Sequence, residues 1–194
     1  MLLAARASAD DFAGSRLVAA TAAELAATIE ARRAEFEKDP YALYELVDSL
    51  LRPRFDMRLG CRNILARHWE STSAADRERF VTAFYDYLVA SYGTLLLYFK
   101  PDTLRVLPFN GDPKAPRARV STVLTMNDGT EVDVDFVMVR TADDDWRIVD
   151  VVAEGVSYVK TYRSQFNVDI ATDGLGSVLE WLEEKGGPRF PPAE

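Results

Sequence analysis

Asp145-Trp146-Arg147-Ile148-Val149-Asp150-Val151-Val152-Ala153-Glu154-Gly155-Val156-Ser157-Tyr158-Val159-Lys160-Thr161-Tyr162-Arg163-Ser164-Gln165-Phe166 is the stretch whose two periodicities decide the fold. Trp146 to Val152 is apolar and β-branched with no helical spacing, which predicts a buried strand. Gly155 supplies backbone freedom where that strand ends. Beyond it, Val156, Val159, Tyr162, Arg163 and Phe166 recur at three- and four-residue spacing, one face of a helix. The stretch therefore predicts a last strand that passes through a glycine into the helix covering its sheet, with almost no loop. Periodicity says nothing of what fills the space between the two.

Upstream, the same period of two recurs. Leu104–Phe109, Arg119–Met126, Glu131–Arg140 and Trp146–Val152 predict four strands in an antiparallel meander. Asn127-Asp128-Gly129 and Asp143-Asp144-Asp145 are the turns, the first rich in residues that accept the backbone angles of tight hairpins. In the third strand Val132, Val134, Phe136 and Met138 share one face. Glu131, Asp133 and Asp135 share the other, until Val137 and Val139 make both faces apolar. One sheet face thus calls for helices.

Those helices come from both flanks. Thr21 to Lys38 has helical composition with a thin stripe of Leu25, Ile29 and Phe36. Asp39-Pro40 restarts a helix as cap and first residue. It carries Leu43, Leu46, Val47, Leu50 and Leu51 and is disturbed at Pro53. Phe55 to Trp69 continues an apolar segment broken near Gly60. Ser73, with Asp76 three residues on, caps a helix that runs to about Phe99, where Lys100-Pro101 stops it. At about 1.5 Å per residue it is roughly 40 Å long. Phe80, Phe84, Leu88, Tyr92 and Leu96 make its stripe. A last helix spans about Gly174 to Lys185. The expected organisation is one domain over residues 10–185, with a helical first half, the sheet at 104–152 and C-terminal helices at 156–185. Residues 186–194 read as a flexible tail. Residues 1–9 read as a signal-peptide remnant or a disordered start, since Ala7-Ser8-Ala9 before Asp10 has the small-x-small form of a cleavage site.

Composition narrows the function. With 23 Lys+Arg against 31 Asp+Glu the net charge is −8, which argues against nucleic acid and against lasting adsorption to anionic membranes. Cys61 is the only cysteine, so no internal disulfide forms. His68 is the only histidine, so a histidine-rich metal site is excluded. Cys61 and His68 would stand about 10 Å apart along a helix, too far for a nucleophile–base pair. Ser157 lacks the second glycine of a nucleophile elbow. The strongest enzyme case is a buried carboxylate, Asp150 in its apolar strand or Asp133 and Asp135, which lie near tyrosines in composition, working with a tyrosine as a proton-abstracting pair. The alternative is that Asp150 caps or pairs structurally.

The run from Trp146 to Phe166, and above all Gly-Val-Ser followed by Tyr-Arg-Ser-Gln-Phe, resembles the signature of the MlaC family, the soluble periplasmic phospholipid-binding proteins of the Mla transport system, also known as toluene-tolerance auxiliary proteins. Arg54-Phe55-Asp56-Met57, Trp69 with the helix carrying Arg79-Phe80 and Phe84, and the strand ending at Arg140 resemble it too. The likeness covers roughly Pro40 to Lys185. It implies an α+β fold, NTF2-like or cystatin-like, with an apolar cavity between sheet and helices. It implies a non-enzymatic carrier in the Gram-negative periplasm, with bound phospholipid as ligand and no cofactor. It implies as partners an MCE-domain ring protein (MlaD-like) of an inner-membrane ABC transporter and an outer-membrane lipoprotein (MlaA-like). The carrier is expected to be monomeric and to maintain outer-membrane lipid asymmetry.

On that resemblance the acyl chains are expected against Phe84, Leu88 and Tyr92 of the long helix, Val134, Phe136, Met138 and Ile148 of the sheet, and Val156, Val159, Tyr162 and Phe166 of the signature helix. Lys160 and Arg163 are the expected contacts to a headgroup or a partner. Tyr158, Lys160 and Thr161 depart from the family pattern and would narrow the mouth. A small-ligand binder or an Asp-based enzyme on the same scaffold is the alternative.

Overall fold

A computed structural model describes residues 12–98, 103–126 and 128–187. The expected leader-like start, the helix stop at Phe99-Lys100-Pro101, Asn127 of the first turn and residues 188–194 of the tail lie outside the described residues.

Among the described residues five antiparallel strands lie in sequence order: β1 (Leu104–Val106), β2 (Arg117–Thr125), β3 (Glu131–Arg140), β4 (Trp146–Ala153) and β5 (Val156–Ser157). The meander is as expected, with one strand more. Register places Val134, Phe136 and Met138 opposite Thr122, Val120 and Ala118 on one side. On the other side Phe136 faces Val151 and Met138 faces Ile148, so these residues share one sheet face. The first strand is shorter than the expected Leu104–Phe109. Leu107 still donates to the Ser121 carbonyl, and Pro108, which has no N–H, ends the ladder.

The extra strand corrects the reading of the opening stretch. Glu154 and Gly155 have φ of 49° and 77°. Two successive residues in the left-handed region form the two-residue loop that suits a twisted hairpin. The chain therefore folds back, pairing Ala153 with Val156 and Val152 with Ser157, before any helix begins. Helix α5 (Tyr158–Gly186) starts two residues later than the sequence suggests and is broken once, at Gly174, whose φ is 82°.

The other helices are α1 (Ala13–Phe36), α2 (Pro40–Leu50), α3 (Met57–Leu65) and α4 (Ala74–Tyr92). The caps at Asp39 and Ser73 are present: Asp39 accepts from the Tyr41 N–H and Ser73 Oγ from the Asp76 N–H. Three boundaries differ. Helix α1 begins at Ala13 rather than near Thr21. Gly60 does not break α3, and its missing side chain lets the Val149 carbonyl approach within 3.3 Å of where a Cβ would stand. The break falls at Ala66, with φ 46°. The long helix ends at Tyr92 and continues as a 3₁₀ segment, Gly93–Tyr98. Glycine favours helix weakly, and at Gly93 it also admits the Tyr44 ring of α2, 3.3 Å from the position of a Cβ.

Among the described residues three apolar clusters hold these elements. Helices α3, α4 and α5 share one, centred on Cys61, Ile64, Leu65, Phe80, Phe166 and Leu182. Helix α1 lies on the inner sheet face, with Phe12 and Val18 against Ala118, Val120, Met138, Trp146 and Ile148. Helices α1 and α2 form the third, around Ile29, Phe36 and Leu43. The helical core and the core under the sheet are thus separate packing units.

Candidate functional site

The end of β4 is tied to α5 by one carboxylate. Asp150 accepts the Ser157 hydroxyl at 2.6 Å and the Val159 N–H at 3.0 Å. Ser157 Oγ in turn accepts the Lys160 N–H at 3.0 Å. A helix begins with unpaired N–H groups and a partial positive charge, and this pair of side chains satisfies both. Both oxygens of Asp150 serve the junction, the structural alternative that the sequence left open. Across the edge of the same strand, Asp56 donates its N–H to the Ile148 carbonyl at 2.9 Å and its side chain caps α3 through the Leu59 N–H. The Arg54-Phe55-Asp56-Met57 motif is thus a hinge between the sheet edge and α3.

The seam between α4 and α5 is aromatic. Phe80, Phe84, Tyr162 and Phe166 are buried, with Phe84 and Tyr162 rings 5.0 Å apart and edge-on. The seam becomes polar towards the α5 start. Tyr162 Oη lies 3.1 Å from Tyr92 Oη and 3.4 Å from Tyr87 Oη. Burial among these rings pushes the Tyr162 phenol well above its ordinary value, and burial likewise raises Tyr158. Tyr158 closes the group, its ring 5.7 Å from that of Tyr92.

The inner sheet face is unevenly covered. Met138 is 0% exposed beneath α1, and Ile148 is buried beside it. Val132, Val134, Phe136 and Val151, towards the β2–β3 turn, are only half-buried. On the helical side Leu88 and Val159 are half-buried and Tyr92 is 36% exposed. Val134 pairs with Ala153, Ala153 with Val156, and Tyr158 follows β5. Register thus places the incompletely covered sheet residues and the phenols at one end of the fold.

The predicted residues therefore divide. Phe84, Met138, Ile148, Tyr162 and Phe166 are buried in the two cores, while Leu88, Val134, Phe136 and Val159 are half-buried. Val156 is not on the signature helix but on β5, 58% exposed, because the hairpin intervenes. Lys160 is exposed in the first turn of α5. Arg163 is half-buried and donates from Nε to the Asn63 carbonyl of α3 at 2.6 Å. A cleft of about 410 Å³ lies elsewhere, lined by Glu78, Arg79, Thr82, Ala83, Asp86, Glu183, Gly186 and Gly187, and contains none of the predicted residues. Its charged walls do not suit acyl chains. Sequence reasoning missed Tyr87, which lies off the four-residue stripe. The only available signal was the density of tyrosines in Tyr85–Tyr92.

Comparison with known proteins agrees with this architecture. The toluene tolerance protein ttg2D of Pseudomonas putida is 24% identical over 151 residues, 77% of this chain and 69% of that protein. The fold is similar to that of a phospholipid-binding protein from Ralstonia solanacearum, solved in complex with a phospholipid, with a TM-score of 0.76 and 21% identity over 91% of this chain and 97% of that one. The family model of the MlaC protein matches residues 19–184, so this chain belongs to the MlaC family.

Proposed function

We propose that the protein is a periplasmic phospholipid carrier that takes acyl chains between its sheet and its helices and leaves the headgroup outside. The observation that carries this reading is the family match over residues 19–184, on a fold whose helical and sheet cores are separate. The similar fold from Ralstonia solanacearum, which holds a phospholipid, supports it. So does the row of half-buried apolar side chains on both sides of the separation. Exposing about 30 methylenes at about 0.8 kcal/mol each costs on the order of 20 kcal/mol, so unassisted transfer through water is very slow. A carrier lowers that cost with an apolar lining and needs no reacting group.

In this reading Leu88, Val134, Phe136 and Val159 meet the chains first. Phe84, Tyr92, Met138, Ile148, Tyr162 and Phe166 form the deeper wall and the rim, with Val156 outermost. Lys160 and Arg163 stand beside the headgroup or a partner. The carrier acts as a monomer between an MlaA-like lipoprotein of the outer membrane and an MlaD-like ring of the inner-membrane transporter. Native mass spectrometry of the purified chain, with a lipid extract of the denatured sample, tests it. A mass excess matching one or two phospholipids, found also in the extract, is expected. A bare apo mass that persists after incubation with liposomes would refute the carrier.

A further inference from the structure

We infer that the phenol chain Tyr92–Tyr162–Tyr87 is a polar subsite for the ester-linked glycerol region of a bound diacyl lipid. This deepens the carrier reading and rests on it.

Tyr162 and Tyr87 sit among apolar rings. Tyr162 is flanked by Phe84 and Phe166, and the Tyr87 ring lies 5.0 Å from Trp181. A hydroxyl in such a place is costly unless paired. Tyr158 also hydrogen-bonds Tyr92, so four phenols carry four donor protons over three contacts. Whichever way the bonds run, one proton of the four has no acceptor within the group. With Tyr162 donating to Tyr87, Tyr92 donates to Tyr162 and the spare proton is on Tyr87. The cluster therefore offers a neutral donor and calls for a neutral acceptor.

Its position defines the ligand's chemistry further. The step from exposed Tyr92 to buried Tyr162 spans the boundary between rim and interior, and half-buried Tyr87 ends the chain on the far side. Two of the exposed large apolar side chains flank this rim: Leu95, three residues beyond Tyr92, and Val156, two before Tyr158, each 58% exposed. A diacyl phospholipid has its only carbonyl acceptors at the same boundary, where two apolar chains join a charged head. Its esters accept hydrogen bonds and donate none. A free fatty acid would bring a charge to this boundary, and an alkane would bring no acceptor.

The test compares ester with ether linkage. The full-length chain is incubated with vesicles of equal parts diacyl and dialkyl phosphatidylcholine of matched chain length, and the bound lipid is read by native mass spectrometry. The ether lipid lacks the carbonyl and keeps everything else. Wild type is expected to prefer the ester lipid about five-fold, the worth of about one hydrogen bond. The triple variant Y87F/Y92F/Y162F is expected to load both equally. Tyr92→Phe alone, at an exposed site that leaves the core intact, is expected to reduce the preference about two-fold. Equal loading of both lipids by wild type, or an undiminished preference in the variants, overturns the inference and leaves the carrier standing. Loading of neither lipid by wild type overturns the carrier and this subsite with it.

Discussion

Arg163 of α5 reaches back a hundred residues in sequence to donate from Nε to the carbonyl of Asn63, 2.6 Å away. Asn63 lies in the last turn of α3, where carbonyls lose their helical partners, and Ala66 turns the chain away three residues later. One guanidinium thus closes α3 and fastens it to the signature helix.

Arg163→Met removes that donor from a half-buried carbonyl and is expected to destabilise the protein by about 1–3 kcal/mol. Arg163→Lys restores part of the loss, because its ammonium also donates. Urea denaturation followed by circular dichroism checks this, and an unmoved midpoint for the methionine variant would dismiss the fastening role.

Gly155 carries the second positive φ of the β4–β5 hairpin, and its absent side chain meets nothing within 4 Å. The cost of a substitution there is therefore conformational. Gly155→Ala is expected to lose about 1 kcal/mol, and Gly155→Asn clearly less, since asparagine visits the left-handed region more readily. Equal melting temperatures for the two variants would contradict this.

Val134 and Phe80 separate binding from packing. Phe80 is 0% exposed in the helical core, and Phe80→Ala is expected to cost about 3–5 kcal/mol. Val134 is half-buried on the inner sheet face. Val134→Trp adds bulk where the chains would lie, so it is expected to halve co-purifying lipid or better while the unfolding free energy moves by less than about 1 kcal/mol. Lipid content by mass spectrometry, beside a melt of each variant, decides it. Full lipid content in Val134→Trp would remove this residue from the lining.

Cys61 is fully buried, and burial pushes its thiol well above the ordinary value of 9.0, helped by the charge of Asp56. The unfolded chain ionises its thiol near that ordinary value while the folded one stays neutral. Stability from this group is therefore complete below about pH 9 and declines as pH rises beyond it. Cys61→Ala should flatten that alkaline slope, measured as the change in unfolding free energy between pH 8 and pH 10. In the native wild type, thiol labelling is expected only at the rate of unfolding. Rapid labelling without unfolding would show the site to be open.

Much of this fold is legible in local spacing. The period of two in Arg119–Met126 and Glu131–Arg140 places the inner face correctly, because alternation along a strand needs no information from elsewhere. The caps at Asp39 and Ser73 are legible for the same reason, each bonding within three residues of itself. Family membership is legible as well, because the Gly-Val-Ser…Tyr-Arg-Ser-Gln-Phe segment keeps its order whatever the chain does around it. Which of the apolar stripe residues are wall and which are core is not. Phe84 and Leu88 have the same place in the four-residue repeat, yet one is buried and the other half-buried.

The residues by themselves determined the meander, the helix caps and the family, since each is written in neighbouring side chains. Tertiary structure alone decided that Glu154-Gly155 turns a hairpin, that Gly60 runs through a helix against Val149, that Arg163 fastens α3, and that three phenols from α4 and α5 meet. Those outcomes depend on partners up to about a hundred positions away. Local periodicity carries no term for such distances, and only the closed packing of helices on the sheet supplies it.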